Sequence, residues 1–542
     1  MSTTYETKTI EHLGLVAGVF DELGIGELLD QVIAQDFEQR QVTVGQAVKA
    51  MVLNGLGFAN RRLYLTPHFF RNKPTERLIG EGVRAEQLND DTLGKALDAL
   101  HNAGVSELYS LIAARAVKRL GLTPKVGHQD ITSFHVDGES NSDNPPLPEA
   151  GIVHITRGYS RDSKPDLTQV ALELIHEHQG CLPVAMQVLD GNQNDTQTLC
   201  RSVNTPIEQL CTVGIGTLVK DSAGYSAPAL QAHEHARLKW VMRVPATLTE
   251  VKKRLEEVDP QALSPLVEGY RYAALSSEYA GVPQRWLLIH SEAAELRAGK
   301  TLTRQLMKAT EAERKAFESL CRRDFVCEPD ARKALEAFQK GLKVLKVHEA
   351  SVTERVHYTQ PGRPPKDSPS QRTRYRLQGS LAAPVAYYQE RLTRASLFIL
   401  ATNELDNKTL SDQEILTTYK AQAIAENGFK FLKDPMFLAS TLFLKKVERL
   451  MALLMVMTVC LLVYSALERR IRTTLAAHQA SVPDQKGKPT QKPTTRWVFE
   501  LFLDVHLLLI TQETTQLLTI NLKEELRTLL SLLGSPYQEA YP

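Results

Sequence analysis

Three kinds of hydrophobic spacing succeed one another along the chain, and each predicts a different kind of element. From Leu13 to Leu23, Ala47 to Leu56 and Leu93 to Leu120, apolar residues recur three and four positions apart, the spacing of a helix with one buried face. Thr43 with Gln46 reads as a capping box and Asn89-Asp90-Asp91 as a second helix start. Residues 1–120 therefore read as a separate, entirely helical domain. From Lys125 the pattern changes to short β-type runs, Val126 to Ile131, Gly151 to Thr156, Cys181 to Val188, Ile215 to Val219 and Leu238 to Val244. Helical stretches intervene at Thr196 to Leu210 and Ser226 to Glu234. Strands joined by helices predict an α/β fold with a mixed central sheet covered on its faces.

The same spacing divides the rest of the chain. Residues 121–244 form the first part of that core, and Phe398 to Ala401 returns to it as a last strand, opening a second part over 396–475. Between them, 245–395 reads as an inserted domain, because a direct connection needs far fewer residues. Its ends carry β-type runs (Tyr270 to Leu275, Arg285 to Ile289, Arg374 to Leu377), and Ala293 to Lys343 is a charged helical stretch. Residues 476–542 read as a helical C-terminal tail. Leu450 to Leu467 carries no charge, at the lower limit of roughly 18 residues for a membrane span. Its Thr458, Tyr464 and Ser465, and the charged helix continuing on both sides, favour a core helix covered all round over a membrane anchor.

Composition adds little. The chain has 542 residues, 43% hydrophobic and 23% charged, as expected of a soluble protein of several domains. Its net charge of +1 gives no global sign of a nucleic-acid partner, so a basic binding surface has to be local. The 6 cysteines form no CxxC pair and read as reduced thiols, and the polar N-terminus shows no secretory signal.

The candidate chemistry lies in three acids. Asp130 follows a β-type run in His128-Gln129-Asp130-Ile131-Thr132, Asp221 follows another in Val219-Lys220-Asp221-Ser222, and Glu426 lies on a helix that Asp434-Pro435 stops. At about 100° per residue, Tyr419, Gln422, Glu426, Lys430 and Lys433 share one stripe of that helix. A carboxylate among lysines suits a divalent ion beside a phosphate backbone; a solvated amphipathic face is the alternative. Other acids compete. Asp137 precedes a glycine as a turn residue does, Asp190 and Asp195 look like loop and cap positions, and Glu414 lacks the tyrosine and lysine companions. His128 and His135 lack ligand spacing and read as packing residues beside the site, and Trp240 and Trp286 as buried residues rather than platforms for a base.

The third setting resembles that of the DDE transposases of bacterial insertion sequences, in the IS-four-like group and its large branch with a long insertion. That family's motif is tyrosine, two residues, arginine, three residues, glutamate, six residues, lysine. Tyr419, Gln422, Glu426 and Lys433 fit it, with glutamine where arginine is usual. Asp130-Ile-Thr-Ser and Asp221-Ser-Ala-Gly-Tyr resemble the settings of its first and second acids. The resemblance covers about residues 120–475 and implies an RNase H-like core, with Asp130 on the first strand and Asp221 just past the fourth. It also implies a β-rich insertion beside the active site, cleavage at the element's ends and strand transfer into target DNA. On this reading, Asp130, Asp221 and Glu426 hold two Mg²⁺ or Mn²⁺ ions, while Tyr419, Gln422, Lys430 and Lys433 grip DNA.

Two basic segments fit such a partner. Arg61 and Arg62 open a stretch rich in cations and aromatics between N-terminal helices, suited to terminal-repeat recognition or to an ordinary connection. Arg355 to Arg376, broken by four prolines and carrying Arg372, Arg374 and Arg376, suits a stiff basic loop tracking DNA or a solvated linker. The expected partners are double-stranded DNA, as terminal inverted repeats and target, and a second copy of the chain in the DNA complex, with no membrane; the expected location is the bacterial cytoplasm, at the nucleoid. A non-catalytic DNA-binding descendant and an RNase H-type nuclease without strand transfer are the alternatives.

Overall fold

The uncharged stretch becomes the middle of a 31-residue helix, Val447–Ala477, and it is buried nearly all round. It is long and apolar enough to cross a membrane, yet 89% of its most apolar window is covered by protein. A helix apolar on every side needs partners on every side. Here they are the helices Leu13–Glu22, Val44–Leu56, Asp90–Asn102 and Val105–Arg119 and a strand of the central sheet. The N-terminal helices thus share one hydrophobic core with the sheet, contrary to the expectation of a separate domain.

The computed structural model describes residues 3–34, 41–58, 63–136, 151–158, 166–192, 210, 212–358, 371–382, 385–434, 437, 446–512 and 514–542. The chain divides into two units, one of residues 1–243, 277–284 and 402–542, the other of 244–276 and 285–401. Arg61, Arg62, Asp137, Asp195, the proline-rich 361–369, most of the stretch Thr196 to Leu210 and the side chain of Arg372 lie outside the described residues.

The first unit opens with β1 (Thr4–Thr9), which pairs antiparallel with β15 (His506–Thr511), itself paired with β16 (Thr515–Ile520). These strands correct two expectations, an entirely helical N-terminus and a helical tail. The residues Thr-Tyr-Glu-Thr-Lys-Thr of β1 have the β-type composition and two-residue alternation of an edge strand, and they find their partner only at the far end of the chain. The central sheet of this unit is β2 (Val126–His135), β3 (Gln169–Glu177), β4 (Pro183–Leu189), β5 (Thr217–Lys220) and β6 (Lys239–Arg243), in the order β4-β3-β2-β5-β6. β2 pairs antiparallel with β3 and parallel with β5, so the sheet is mixed, as expected. Residues 151–156 contribute only a single bridge, Thr156 to Gln169, while β3, buried along its whole length, takes the expected place. A strand covered on both faces shows no alternation, which is why its sequence does not announce it.

Helix starts follow the sequence. Thr43 and Gln46 form a reciprocal capping box, Asn89 accepts the N–H of Thr92, and Ser411 and Glu414 form a second box before the helix Asp412–Lys420.

In the second unit, strands run in the order β12 (Leu397–Thr402), β9 (Val282–Ser291), β8 (Tyr270–Tyr279), β7 (Ser264–Val267). The charged stretch is two helices, Glu292–Arg322 and Glu328–Gly341, rather than one; between them Phe325 makes a bridge to Tyr375 and packs with Ala331 and Leu377. The basic segment is not a loop over its whole length. Arg355 lies on β10 (Lys346–Tyr358), and Arg372, Arg374 and Arg376 lie on β11 (Gln371–Ala382). The alternation Arg-Thr-Arg-Tyr-Arg is a strand pattern, and it overrides the prolines nearby.

Candidate active site

β5 and β6 end one residue apart, level with the middle of β2, which runs on to His135. β2 and β5 pair Val126 with Thr217, Gly127 with Leu218 and His128 with Val219. β5 and β6 pair Thr217 with Lys239, continuing to Lys220 with Met242. One position past Lys220 and Met242 come Asp221 and Arg243; two past His128 and Val219 come Asp130 and Asp221. Asp221 keeps extended backbone angles, so the register carries through it. Asp130, Asp221 and Arg243 are therefore neighbours along one edge, on strands about 4.8 Å apart. It is the carboxyl edge of β5 and β6, the kind of edge where open α/β sheets take their ligands, with Asp130 level with it on the longer β2.

The Glu426 helix lies over one face of this edge. Side chains alternate along a strand, so His128, Asp130 and Phe134 share a face of β2. His176, in register with His128, meets Phe429 of the Glu426 helix edge-on, with ring centroids 6.4 Å apart at 87°. The Lys433 ammonium lies 5.9 Å from the centre of the Phe134 ring. Glu426, in the first turn of this helix, is exposed, as are Lys430 and Asp221; Asp130 and Lys433 are half-buried.

Tyr419 ties the acids together. Its hydroxyl is hydrogen-bonded to Arg243, and its pKa is pushed up to about 12, first by burial and then by the Asp221 and Glu426 carboxylates, against the pull of Arg243. Second and third acids thus act electrostatically on one phenol. The Tyr419 to Lys433 stretch is not one helix, contrary to the shared stripe inferred from spacing. Asp412–Lys420 and Ala423–Leu432 are separate helices joined by a tight turn in which Gln422 bonds back to Tyr419 and Ile424 to Ala421. No proline or glycine forces the break. The first helix packs on β5 and β6 and the second on β2 and β3, so tertiary contact turns the chain.

The carboxylates share an edge without closing into one ligand set. Asp130 Oδ1 accepts its neighbour Ile131 N–H at 2.8 Å, and Asp221 Oδ1 accepts Ser222 N–H at 2.6 Å. Among the described residues no three His, Cys, Asp or Glu side chains stand close enough to hold one ion as they are. Carboxylates repel one another at short range, and each aspartate satisfies one oxygen locally. The donors nonetheless fit a hard divalent ion: all are carboxylate oxygens, from mid-strand on β2, just past β5 and a first helical turn, with no thiolate among them.

The competing residues have other occupations. Glu414 sits in the capping box with Ser411, whose hydrogen bonds hold its carboxyl below the usual range. Asp190 accepts the backbone N–H of His154. Trp240 and Trp286 are buried, and His128 is buried against His178. In the second unit, Arg374 faces Arg355 across the ribbon, and Arg376 is held at two points by Asp324, at 2.5 and 3.2 Å. Arg243 is the residue that spacing missed. It lies far from the acids in sequence and belongs to no local motif, and only its position at the end of a predicted strand, level with Asp221, could have flagged it.

Residues 130–463 match the model of a family described as "Transposase DDE domain", and residues 5–114 match a domain of unknown function (DUF4277). No curated protein matches the chain. Among solved structures, a piggyBac transposase synaptic complex with hairpin DNA aligns with 92% of this chain and 82% of its own. The identity is 9% and the TM-score 0.39, too slight a likeness to carry an argument.

Proposed function

The chain belongs to the transposase DDE domain family and is a DNA transposase, and from that premise we propose that Asp130, Asp221 and Glu426 are its catalytic carboxylates. The observation that carries this reading is the strand register, which sets Asp130 beside Asp221 at the carboxyl edge beneath the Glu426 helix. We propose further that the core is RNase H-like, which the order β4-β3-β2-β5-β6 supports, and that the element is a bacterial insertion sequence of the IS-four-like group.

The three acids would hold two Mg²⁺ or Mn²⁺ ions. Bound there, the ions would supply an activated water for attack on the scissile phosphate and neutralise charge on the departing 3′ oxygen. Asp130 is held by strand β2 and Asp221 by the extended backbone just past β5, so each carboxylate starts from a rigid element. Glu426 comes from the helix, a separate element, and its side chain is exposed. Tyr419 keeps its proton at any working pH, since burial and the neighbouring acids hold its pKa near 12. Its oxygen takes the Arg243 hydrogen bond, leaving its O–H to donate to a phosphate oxygen. Arg243 supplies on a neighbouring strand the guanidinium that Gln422 does not provide, and Lys430 and Lys433 add charge along the DNA end. Arg61, Arg62, Arg372 and Arg374 are proposed as DNA contacts away from the chemistry, with Arg376 weakened for that role by Asp324. The DNA partners are the element's inverted repeats and the target, and two copies of the chain would act on two ends.

Nicking of a plasmid bearing the repeats that flank the gene tests this reading. Asp130→Asn, Asp221→Asn and Glu426→Gln are each expected to abolish cleavage while leaving end binding intact in a gel-shift assay. Wild-type nicking by any one of them removes that residue from the site.

A further inference from the structure

His176 is an anomaly in the core. It is fully buried, neither ring nitrogen has a hydrogen-bond partner among the described residues, and burial lowers its pKa to about 3. A buried polar group left without a partner destabilises the fold. What lies against it is Gly428, two residues past Glu426 on the same helix. A Cβ added at Gly428 would stand 2.6 Å from His176 Nε2, 3.1 Å from its Cε1 and 3.2 Å from Leu461 Cδ2. Gly428 lies in mid-helix, where glycine is less favourable than alanine. A conformational need does not explain it, since its backbone is helical.

We propose that Gly428 and the His176 ring form a seat that sets the height of the Glu426 helix over the catalytic edge, making both of them positioning residues. The ring meets the helix twice, edge-on at Phe429 and end-on at Gly428, at the strand position in register with His128 and one alternation from Asp130. Leu461, from the long core helix, also borders the space that an added Cβ would fill. Relief of a 2.6 Å overlap to an ordinary contact of about 3.5 Å requires a displacement on the order of 1 Å. Displacement of the helix away from the His176 ring would carry Glu426 with it. Misplacement by about 1 Å costs on the order of 100-fold in rate. This inference rests on Glu426 being catalytic.

The test uses the full chain and a duplex carrying the flanking repeat, with single-turnover cleavage and end-binding affinity measured separately. Gly428→Ala is expected to slow cleavage about 100-fold with affinity unchanged, and Gly428→Ala with His176→Ala to recover most of that loss, because the smaller residue reopens the seat. A general loss of fold would lower end binding together with cleavage, whereas a displaced Glu426 slows cleavage alone. Wild-type cleavage by Gly428→Ala, or a folded double variant as slow as the single, overturns the proposal. Should Gly428→Ala alone fail to fold, the double variant decides: folded and active supports the seat, and inactive or unfolded overturns it. Glu426→Gln is the control, and wild-type cleavage by that variant would defeat the assignment of Glu426 rather than the seat.

Discussion

Four histidines make the first unit acid-sensitive well above the range where carboxylates titrate. His12, His128, His176 and His233 are buried at 7% exposure or less, and burial lowers their pKa values to about 4, 4, 3 and 3 from an ordinary 6.5. Each ring is harder to protonate folded than unfolded, so below pH 6.5 the unfolded chain binds more protons and is favoured. The stability these rings contribute is complete above about pH 6.5 and is lost as pH falls toward their folded values. At pH 5.5 an unfolded histidine of pKa 6.5 is mostly charged and the folded ring is not, which costs about 1.4 kcal/mol per ring. Four rings together cost on the order of 5 kcal/mol, comparable with the whole stability of many domains. Urea unfolding followed by circular dichroism at pH 7.5, 6.5 and 5.5 should show the midpoint falling steeply over the last unit. Replacing His176 by a residue that does not titrate should make that fall shallower by about a quarter. A midpoint unchanged between pH 7.5 and 5.5 would refute the reasoning, because it would mean that the rings are charged, or reach solvent, in the folded protein.

Three further outcomes follow from the packing and the site. Leu454→Ala, at a fully buried position of the long helix, should cost about 2 to 5 kcal/mol in chemical denaturation and leave the protein in the soluble fraction; a membrane anchor would instead tolerate it. Glu414→Ala should lose about 1 kcal/mol of helix capping but cleave DNA at the wild-type rate, whereas a dead enzyme would exchange its role with that of Glu426. Arg243→Ala should weaken cleavage by roughly 10- to 100-fold, the worth of one hydrogen bond to a charged group, with Arg243→Lys recovering part; no change in rate would remove Arg243 from the phosphate contacts.

Much of the site was legible because its parts obey local rules. Asp130 lies within one β-type run and Asp221 follows another, and Ser411 with Glu414 announces a helix start that gives the Glu414 carboxylate another occupation. The wholly buried β3 was not legible, since a strand covered on both faces carries no alternation, and Gly151 to Thr156 looked more strand-like than it is. The pairing of β1 with β15 joins opposite ends of the chain, and no local pattern reports a partner so far away. The turn between Tyr419 and Glu426 escaped for a related reason: helical propensity runs straight through Ala421 and Gln422, and only the strands beneath decide where the helix bends. Arg243 and Gly428 became visible once register and contact were known, because each acts through a neighbour distant in sequence.

Iron-directed cleavage of the polypeptide tests the shared metal site most directly. Fe²⁺ substituted for Mg²⁺ in the DNA-bound enzyme, with ascorbate and peroxide, cuts the backbone beside the bound ion. The expected result is three sets of fragments, ending near residues 130, 221 and 426, that fade together in Asp221→Asn. Cuts near only one of these positions, or cuts at the other two that persist undiminished in that variant, would contradict a common site.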